Sequence, residues 1–364
     1  MNSSTSGSSV TLQGIADQLG LSRSGVSRAL RGHPSISTAT QDLVRQTAER
    51  MGYRPNPYVS ALMTHLKSRR ALPQQEVLAL VIFQANRTEL FNFPFTKRLV
   101  AGLEERAAEL GYRIEDFFVG PRGMSLRRME TVLYHRNIRG IIFAPTPQHR
   151  GHASLTFDRY AMITAGYSLW RPDISRVTAN YEHVVATTLR ELRRLGYRRI
   201  GLAVHKSNDD RVDRRWSGGF LSHSRIPEDC EAAPLLITTD WNASGLVRWV
   251  RKQRLDAVIS PHIEALHWIK SAGLSVPGDI GFAVLDWNET FQDLCAGFDQ
   301  CSNLIGRFVA SQLITQIERN ETGLPQSPLT TSVKGQWHSG PSIARRSGFE
   351  SKRRAGGRTA ARRT

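Results

Sequence analysis

VTLQGIADQLGLSRSGVSRALRGHPSISTATQDLVRQTAERMGYRPN occupies residues 10–56, and its spacing decides how the whole chain is read. Thr11 is a candidate N-cap. Leu12, Ile15, Ala16 and Leu19 then recur at i, i+3, i+4 and i+7, so they share one helical face. Gly20 breaks that helix. Ser22 can cap a second one, with Val26, Ala29 and Leu30 as its apolar side, and Gly32-His33-Pro34 ends it. Ser37 or Thr38 can open a third, with Leu43, Val44, Ala48 and Met51 facing inward and Gly52 as its C-cap. The spacing Ala16-x3-Gly20-x5-Val26 has physical content. A small residue lets two helices cross closely, a glycine takes the tight turn, and Val26 locks the second helix on the first. This is a helix-turn-helix, whose second helix enters a major groove N-terminus first. The spacing alone also fits a small helical bundle with no DNA role. Arg23 and Arg28 on the second helix tip the balance, because Arg is the usual reader of guanine edges.

Outward from this head, the chain is 364 residues long, which suggests two or three domains. Apolar residues make up 40% and charged residues 22%, ordinary for a protein that buries real cores. The formal charge of +17 calls for a polyanionic partner, nucleic acid or an anionic membrane surface. The longest purely apolar run is Val77–Phe83, too short to span a bilayer, so no membrane role is expected. The opening MNSSTSGSSV has neither a positive n-region nor an apolar h-region, so no secretory signal is expected there. Cys230, Cys295 and Cys301 show no CxxC spacing, which fits a reducing compartment and argues against a disulfide framework or zinc finger.

The charge is not spread evenly. Residues 1–70 carry Arg23, Arg28, Arg31, Arg45, Arg50, Arg54, Lys67, Arg69 and Arg70 against Asp17, Asp42 and Glu49, a net +6. Residues 345–364 carry a net +7, and the middle only +4. The basicity sits at the two ends.

The head resembles that of LacI/GalR-type transcriptional regulators. The matching features are Val10-Thr11-Leu12, Ala16, Gly20-Leu21-Ser22, Val26-Ser27-Arg28, Ile36-Ser37 and Gly52-Tyr53-Arg54-Pro55-Asn56. By this resemblance Arg23, Ser24 and Arg28 fall on base-reading positions, and Thr11, Ser22, Ser27 and Asn56 fall near the DNA backbone. Gly14 and Gly25 depart from the family, which usually has larger polar residues there. Each Gly costs about 0.5–1 kcal/mol of helix stability relative to Ala.

After Pro55-Asn56-Pro57 comes YVSALMTHLKSRR, with Val59, Leu62, Met63 and Leu66 as an apolar stripe. An isolated helix of under about 12 residues is marginal in water, so this hinge should fold only on contact. Alone it would pass for a plain linker. The resemblance implies a paired hinge helix that inserts a Leu into the minor groove. Leu62 occupies that position, with Val59 beside it as a further DNA contact.

From residue 77 onward, strand-like runs alternate with amphipathic helices, and the pattern restarts near Glu182. Repeated β-α-β units imply parallel sheets covered by helices. The fold class expected is therefore an all-α helix-turn-helix head followed by an α/β, bilobed, periplasmic-binding-protein-like body with Rossmann-like parallel sheets. The expected boundaries are a disordered N-terminus 1–9, the head 10–56, a hinge and linker 57–75, a ligand-binding and dimerisation body 76–342, and a basic disordered tail 343–364. The tail serves either extra non-specific DNA affinity or solubility.

The ligand is expected in the crevice at the carboxyl ends of the strands. The looser resemblance through the body places Asn86, Phe95, Asn180, Asp286 and Gln300 at cleft-facing positions. Arg214, Trp216 and Trp287 join them as departures. Trp216 stands where the family often has an Arg, three residues before the Gly of Gly219-Phe220. The two Trp residues serve either stacking or core packing. A carboxylate and amides flanked by aromatics suit a sugar.

Catalysis finds little support. His262 and His267 lack HExxH spacing, His149 and His152 have no clear third ligand, and Asp209, Asp210 and Asp213 look like a solvated loop. No GxSxG, Walker A or GxGxxG motif occurs, so no enzyme activity, cofactor or metal is expected. The expectation is a cytoplasmic, effector-controlled transcriptional regulator, a repressor by class, that binds a palindromic operator as a homodimer. Two alternatives stay open on sequence alone: a solute-binding protein, and an α/β enzyme with a fused DNA-binding head.

Overall fold

The structure is a computed structural model that describes residues 12–30, 36–51, 76–224 and 235–346. Three helices build the head: α1 (Leu12–Leu19), α2 (Arg23–Leu30) and α3 (Thr38–Arg50). Gly20 takes the turn after α1 at φ +61°, and Leu21 N donates back to Ala16 O at 3.0 Å. A residue with a Cβ is strained there, which is why the turn needs glycine. Ser37 rather than Thr38 caps α3, accepting from Thr40 N at 3.3 Å. Ile15, Ala16, Val26, Ala29, Val44 and Ala48 close the core. Leu43 was expected inside but is 52% exposed, and Thr47 takes the inward place. With Val44 and Ala48 fixed inward, the 100° step of the helix turns Leu43 outward and brings Thr47 in.

The body continues in chain order as β1 (Glu76–Ile82), α4 (Arg87–Leu90), α5 (Pro94–Glu109), β2 (Tyr112–Phe118), α6 (Leu126–His135), β3 (Gly140–Phe143), β4 (Gly151–His152), β5 (Ala161–Ala165), β6 (Leu169–Arg171) and β7 (Arg176–Ala179). Then come α7 (Tyr181–Arg194), β8 (Ile200–His205), α8 (Lys206–Arg211), α9 (Arg215–His223), β9 (Leu235–Thr238), α10 (Ala243–Lys252), β10 (Ala257–Ser260), α11 (Glu264–Ser271), β11 (Gly281–Val284) and β12 (Ala296–Asp299). The last elements are α12 (Ser302–Arg319), β13 (Thr330–Val333) and β14 (Gln336–His338).

Two six-stranded sheets result. The first runs β13-β7-β5-β3-β1-β2, parallel throughout; the second runs β14-β12-β11-β10-β8-β9, with β14 antiparallel to β12. The central strands β3, β5, β7, β10 and β11 are buried along their whole length, as expected of sheets covered on both faces. The chain crosses between the lobes near Asn180, Gln300 and Lys334. The first and third crossings are tied by Asn180 N donating to Val333 O at 2.8 Å.

Helix α12 returns to the first lobe and packs on α5 at very short range. A Cβ on Gly306 would lie 1.9 Å from Leu99 O, and one on Gly102 would lie 2.1 Å from Asn303 O. Only hydrogen fits at either crossing.

The body runs past the expected boundary at Ser342. Ile343 packs on the main core, Ala344 N donates to the Tyr197 hydroxyl at 3.1 Å, and Arg346 N donates to Leu195 O at 2.8 Å. Residues 343–346 are therefore structured, because the buried Tyr197 hydroxyl and the C-terminal carbonyl of α7 need partners. Residues 1–9, the hinge 57–75 and residues 347–364 lie outside the described residues. Among the described residues no helix is long and apolar enough to cross a membrane.

Candidate functional sites: the head and the cleft

In the head, α2 is the candidate reading helix. Ser22 caps it, its Oγ accepting from Gly25 N at 3.0 Å, and this bond holds the N-terminus of α2 in place. Val26 and Ala29 face the core, while Arg28 is exposed in the last turn. Arg23, Ser24 and Ser27 are residues of α2, and their side chains lie outside the described parts. Thr11, Asn56, Val59 and Leu62 also lie outside the described residues.

The cleft lies between the lobes and encloses about 530 Å³. Its lining comes from segments that follow eight strands: Phe93 and Phe95 after β1, Pro145 after β3, Tyr167 after β5, Tyr181 after β7, Asn208 and Arg211 after β8, His262 after β10, Asp286 after β11, and Gln300 after β12. Parallel strands all end on the same side of a sheet, so two facing sheets of this kind bring their carboxyl ends together.

Four of the residues expected in the cleft line it: Phe95, Trp216, Asp286 and Gln300. Trp216 is buried against Tyr181, edge to face at 4.6 Å, and Tyr181 in turn meets Tyr167 at 6.2 Å. These rings form one apolar wall. Gln300 is buried; its Nε2 donates to Leu285 O at 2.9 Å, and its Oε1 has no protein partner. Asp286 Oδ1 is likewise buried without a hydrogen-bond partner.

Asp286 belongs to a bridge between the lobes. Arg98 on α5 donates to Asp299 Oδ1 at 2.9 Å and to the Trp287 carbonyl at 3.1 Å, and its guanidinium lies 3.9 Å from Asp286. Burial pushes the Asp286 carboxyl up to about 6, the Arg98 charge opposes that shift, and the neighbouring Asp299 adds to it. Removing Arg98 would leave two partly buried carboxylates facing one another.

The other four residues lie elsewhere. Asn86 is exposed and caps α4, accepting from Glu89 N at 2.9 Å. Asn180 caps α7, accepting from His183 N at 3.0 Å, at the lobe crossing. Arg214 is exposed, sits in the left-handed region at φ 55°, and turns to Asp210 at 3.4 Å. Trp287 is buried in the second lobe, where its Nε1 donates to Cys295 O at 3.0 Å and its ring stacks on His338 at 3.9 Å. For Trp287 the packing role explains the residue.

Sequence reasoning missed Tyr167, Tyr181, Arg211 and the cluster of His262, Glu264 and Trp241. Trp241 Nε1 donates to Glu264 Oε1 at 3.0 Å, and its ring meets the His262 ring at 4.7 Å. His262 Nε2 accepts from the backbone N–H of His205 at 3.3 Å, so this nitrogen carries no proton. Burial pulls the imidazole down to about 4, with Glu264 opposing the shift and His205 adding to it. The sequence alone reads Asp209 as part of a solvated loop. It is buried, accepting from Ser217 N at 3.1 Å and Ser217 Oγ at 2.7 Å, and so ties α8 to α9. Among the described residues no group of three or more His, Cys, Asp or Glu side chains could hold a metal ion.

Residues 11–56 match the family model for bacterial regulatory proteins of the lacI family. The chain is 26% identical over 331 residues to the HTH-type transcriptional regulator CelR of Thermobifida fusca, covering 86% of this chain and 93% of that protein. Its fold is similar to a solved transcriptional regulator CelR–cellobiose complex, with a TM-score of 0.53 and 21% identity over 92% of this chain and 99% of that one. It is also similar to the lac repressor dimer bound to operator and the anti-inducer ONPF, with a TM-score of 0.56 and 16% identity over 93% of this chain and 100% of that one.

Proposed function

We infer that the protein is a transcriptional regulator of the LacI/GalR family, with a helix-turn-helix head that binds DNA and a bilobed body that senses a small molecule. The observation that carries this is the joining of the two parts in one chain. The head matches the lacI model over its whole length, and a cavity with aromatic walls and unpartnered polar atoms lies between two parallel-sheet lobes. The relatives are regulators rather than enzymes, which favours regulation over the enzyme alternative.

The effector of this reading is a sugar. Phe95, Tyr167, Tyr181 and Trp216 offer faces for the apolar side of a sugar ring, and Asp286 Oδ1 and Gln300 Oε1 accept from its hydroxyls. CelR was solved with cellobiose, which supports the same class here. Sugar binding draws the lobes together around the Arg98 bridge and biases two states of a dimer, whose difference in sugar affinity sets the response. The lac repressor is a dimer on its operator, and the same two-fold arrangement on a palindromic site is proposed for this chain. Leu304 and Phe308, one turn apart on α12 and each 42% exposed, are apolar side chains suited to such a partner. In this arrangement Leu62 wedges the minor groove, with Val59 beside it. Arg23, Ser24 and Arg28 read bases; Thr11, Ser22, Ser27 and Asn56 hold the backbone. The protein acts in the cytoplasm, as a repressor.

The test starts from a duplex selected out of a random-sequence library. Arg28→Ala should relax preference at one base step, at about 1–3 kcal/mol. Equal weakening on all sequences would make Arg28 a phosphate contact instead. Leu62→Ala should reduce both affinity and bending of the selected duplex, and unchanged bending would remove the wedge.

A further inference from the structure

Arg211 is the one Lys or Arg among the described residues that line the cleft. It ends α8 in the second lobe, and its guanidinium carbon lies 4.9 Å from the centre of the Phe93 ring, which belongs to the first lobe. The side chain is buried enough that desolvation pulls its pKa below the ordinary value, and its Nε has no hydrogen-bond partner.

The acids around it are turned to other groups. Asp209 takes both hydrogen bonds of Ser217, Asp210 pairs with Lys206 and Arg214, and Asp213 pairs with Arg215. Within the lining, Asp286 faces Arg98, and Glu264 accepts from Trp241 beside His262. Among the described residues no carboxylate pairs with Arg211.

A partly buried charge without a counter-charge is costly, and a ring face offsets only part of that. A sugar hydroxyl would accept one hydrogen bond from Arg211 but would leave its charge uncompensated. A carboxylate or phosphate would do both, and the guanidinium fork is shaped for two parallel bonds to such a group. The position also matters. Trp216 stands where the resemblance leads one to expect an Arg, so the guanidinium enters this cleft from a different place, five residues earlier and across from Phe93.

We propose that the effector is an acidic saccharide, whose anionic group is held by Arg211 while its hydroxyls meet Asp286 and Gln300. The proposal rests on the assignment of the cleft to a sugar and adds the charge of the ligand. Arg211 becomes the residue that separates acidic from neutral sugars.

Calorimetric titration of the full chain tests it with galacturonate, digalacturonate, glucose 6-phosphate, cellobiose and lactose. At least one acidic sugar should bind about tenfold or more tightly than the neutral ones, and its affinity should fall as salt rises. Arg211→Gln should weaken that acidic sugar by about ten- to hundredfold and leave a neutral sugar within about threefold. Arg211→Lys should recover part of the loss. Preference for the uronates identifies a carboxylate, and preference for the sugar phosphate identifies a phosphate; either supports the assignment. The Arg211→Gln variant should melt at or above the parent temperature, since it removes an unpaired, partly buried charge, so a loss of binding is not a loss of fold. Neutral sugars binding as tightly as acidic ones, or equal losses for both in Arg211→Gln, would overturn the charge assignment and leave the sugar cleft standing. No binding by any of the five would overturn the sugar cleft and the charge assignment together.

Discussion

The head closes its core with six buried side chains drawn from residues 15–48, whereas the cleft gathers its lining from the ends of eight strands spread between residues 92 and 300. In the head, each contact is set by helical spacing within a few turns of chain, so a single contiguous stretch specifies both the fold and the face proposed to meet DNA. In the cleft, no two walls come from the same stretch, and the geometry exists only once two sheets and three crossings are in place. The thin core and the distributed one should also fail differently.

The largest expected effect is in the head. Val26 is fully buried among five other core residues, and Val26→Asp would place a carboxylate there with no partner. The cost is on the order of 4 kcal/mol or more, comparable to the whole stability of so small a unit. DNA binding should vanish while sugar binding by the body persists. Simultaneous loss of both would mean that the two regions do not fold independently. In the body, Gly306→Ala is the counterpart. Its methyl group would fall 1.9 Å from Leu99 O, and the backbones of α5 and α12 must separate. Overpacking of this kind costs about 3 kcal/mol at its upper range, read as a lower melting transition of the body with duplex affinity of the head retained. A shift under about 0.5 kcal/mol would show that the two helices do not cross at that distance.

The same contrast explains what could be read from the sequence. The spacing of Ile15, Ala16, Val26, Val44 and Ala48 was enough to place three helices and their core, because helical contacts are local. Leu43 was misplaced because two adjacent apolar positions compete for one face, and only packing decides between them. Strands β1, β2, β3, β5 and β8 to β11 were legible as strand-like runs, whereas β4, β6, β7 and β12, of two to four residues each, were not. Strands β13 and β14, with the sequences TTSV and QWH, were not, since they are short edge strands that pair only after the chain has crossed back between lobes. In the cleft, Asp286 and Gln300 were legible as polar residues at strand ends. Arg211 was not, because its significance lies in acids that turn elsewhere, and sequence does not show which way Asp209 points.

Two buried groups of the cleft should respond to pH in opposite senses. Burial lifts Asp286 from an ordinary 3.8 to about 6, so the folded state holds that proton more tightly than the unfolded state does. Its contribution to stability is full below about pH 4 and is lost as pH rises through 6. Burial pulls His262 from 6.5 to about 4, so its contribution is full above pH 6.5 and is lost as pH falls through 4. The two offset one another across the same window. Relative to the parent, Asp286→Asn should make stability climb more steeply between pH 4.5 and 6.5, and His262→Gln should make it fall, each by roughly 2 kcal/mol. Urea unfolding at the two pH values reads this directly. Parallel profiles for the two variants would mean that neither carboxyl nor imidazole is held as described.

The smallest effect separates two tryptophans that sequence could not tell apart. Trp287 donates to Cys295 O and stacks on His338, away from the cavity, while Trp216 lines the cavity against Tyr181. Trp287→Phe keeps an aromatic ring but leaves the buried Cys295 carbonyl without that donor, which should cost about 1–2 kcal/mol of body stability. Sugar affinity should stay unchanged. Trp216→Phe should do the reverse: it removes no hydrogen bond found among the described residues but shrinks the wall that a ring of the sugar would face. Affinity should drop several-fold with a smaller change in melting. If Trp287→Phe weakened sugar binding as much as Trp216→Phe, the wall would extend beyond the residues that line the cavity. The cleft would then depend on the packing of the second lobe, much as the reading face of the head depends on its core.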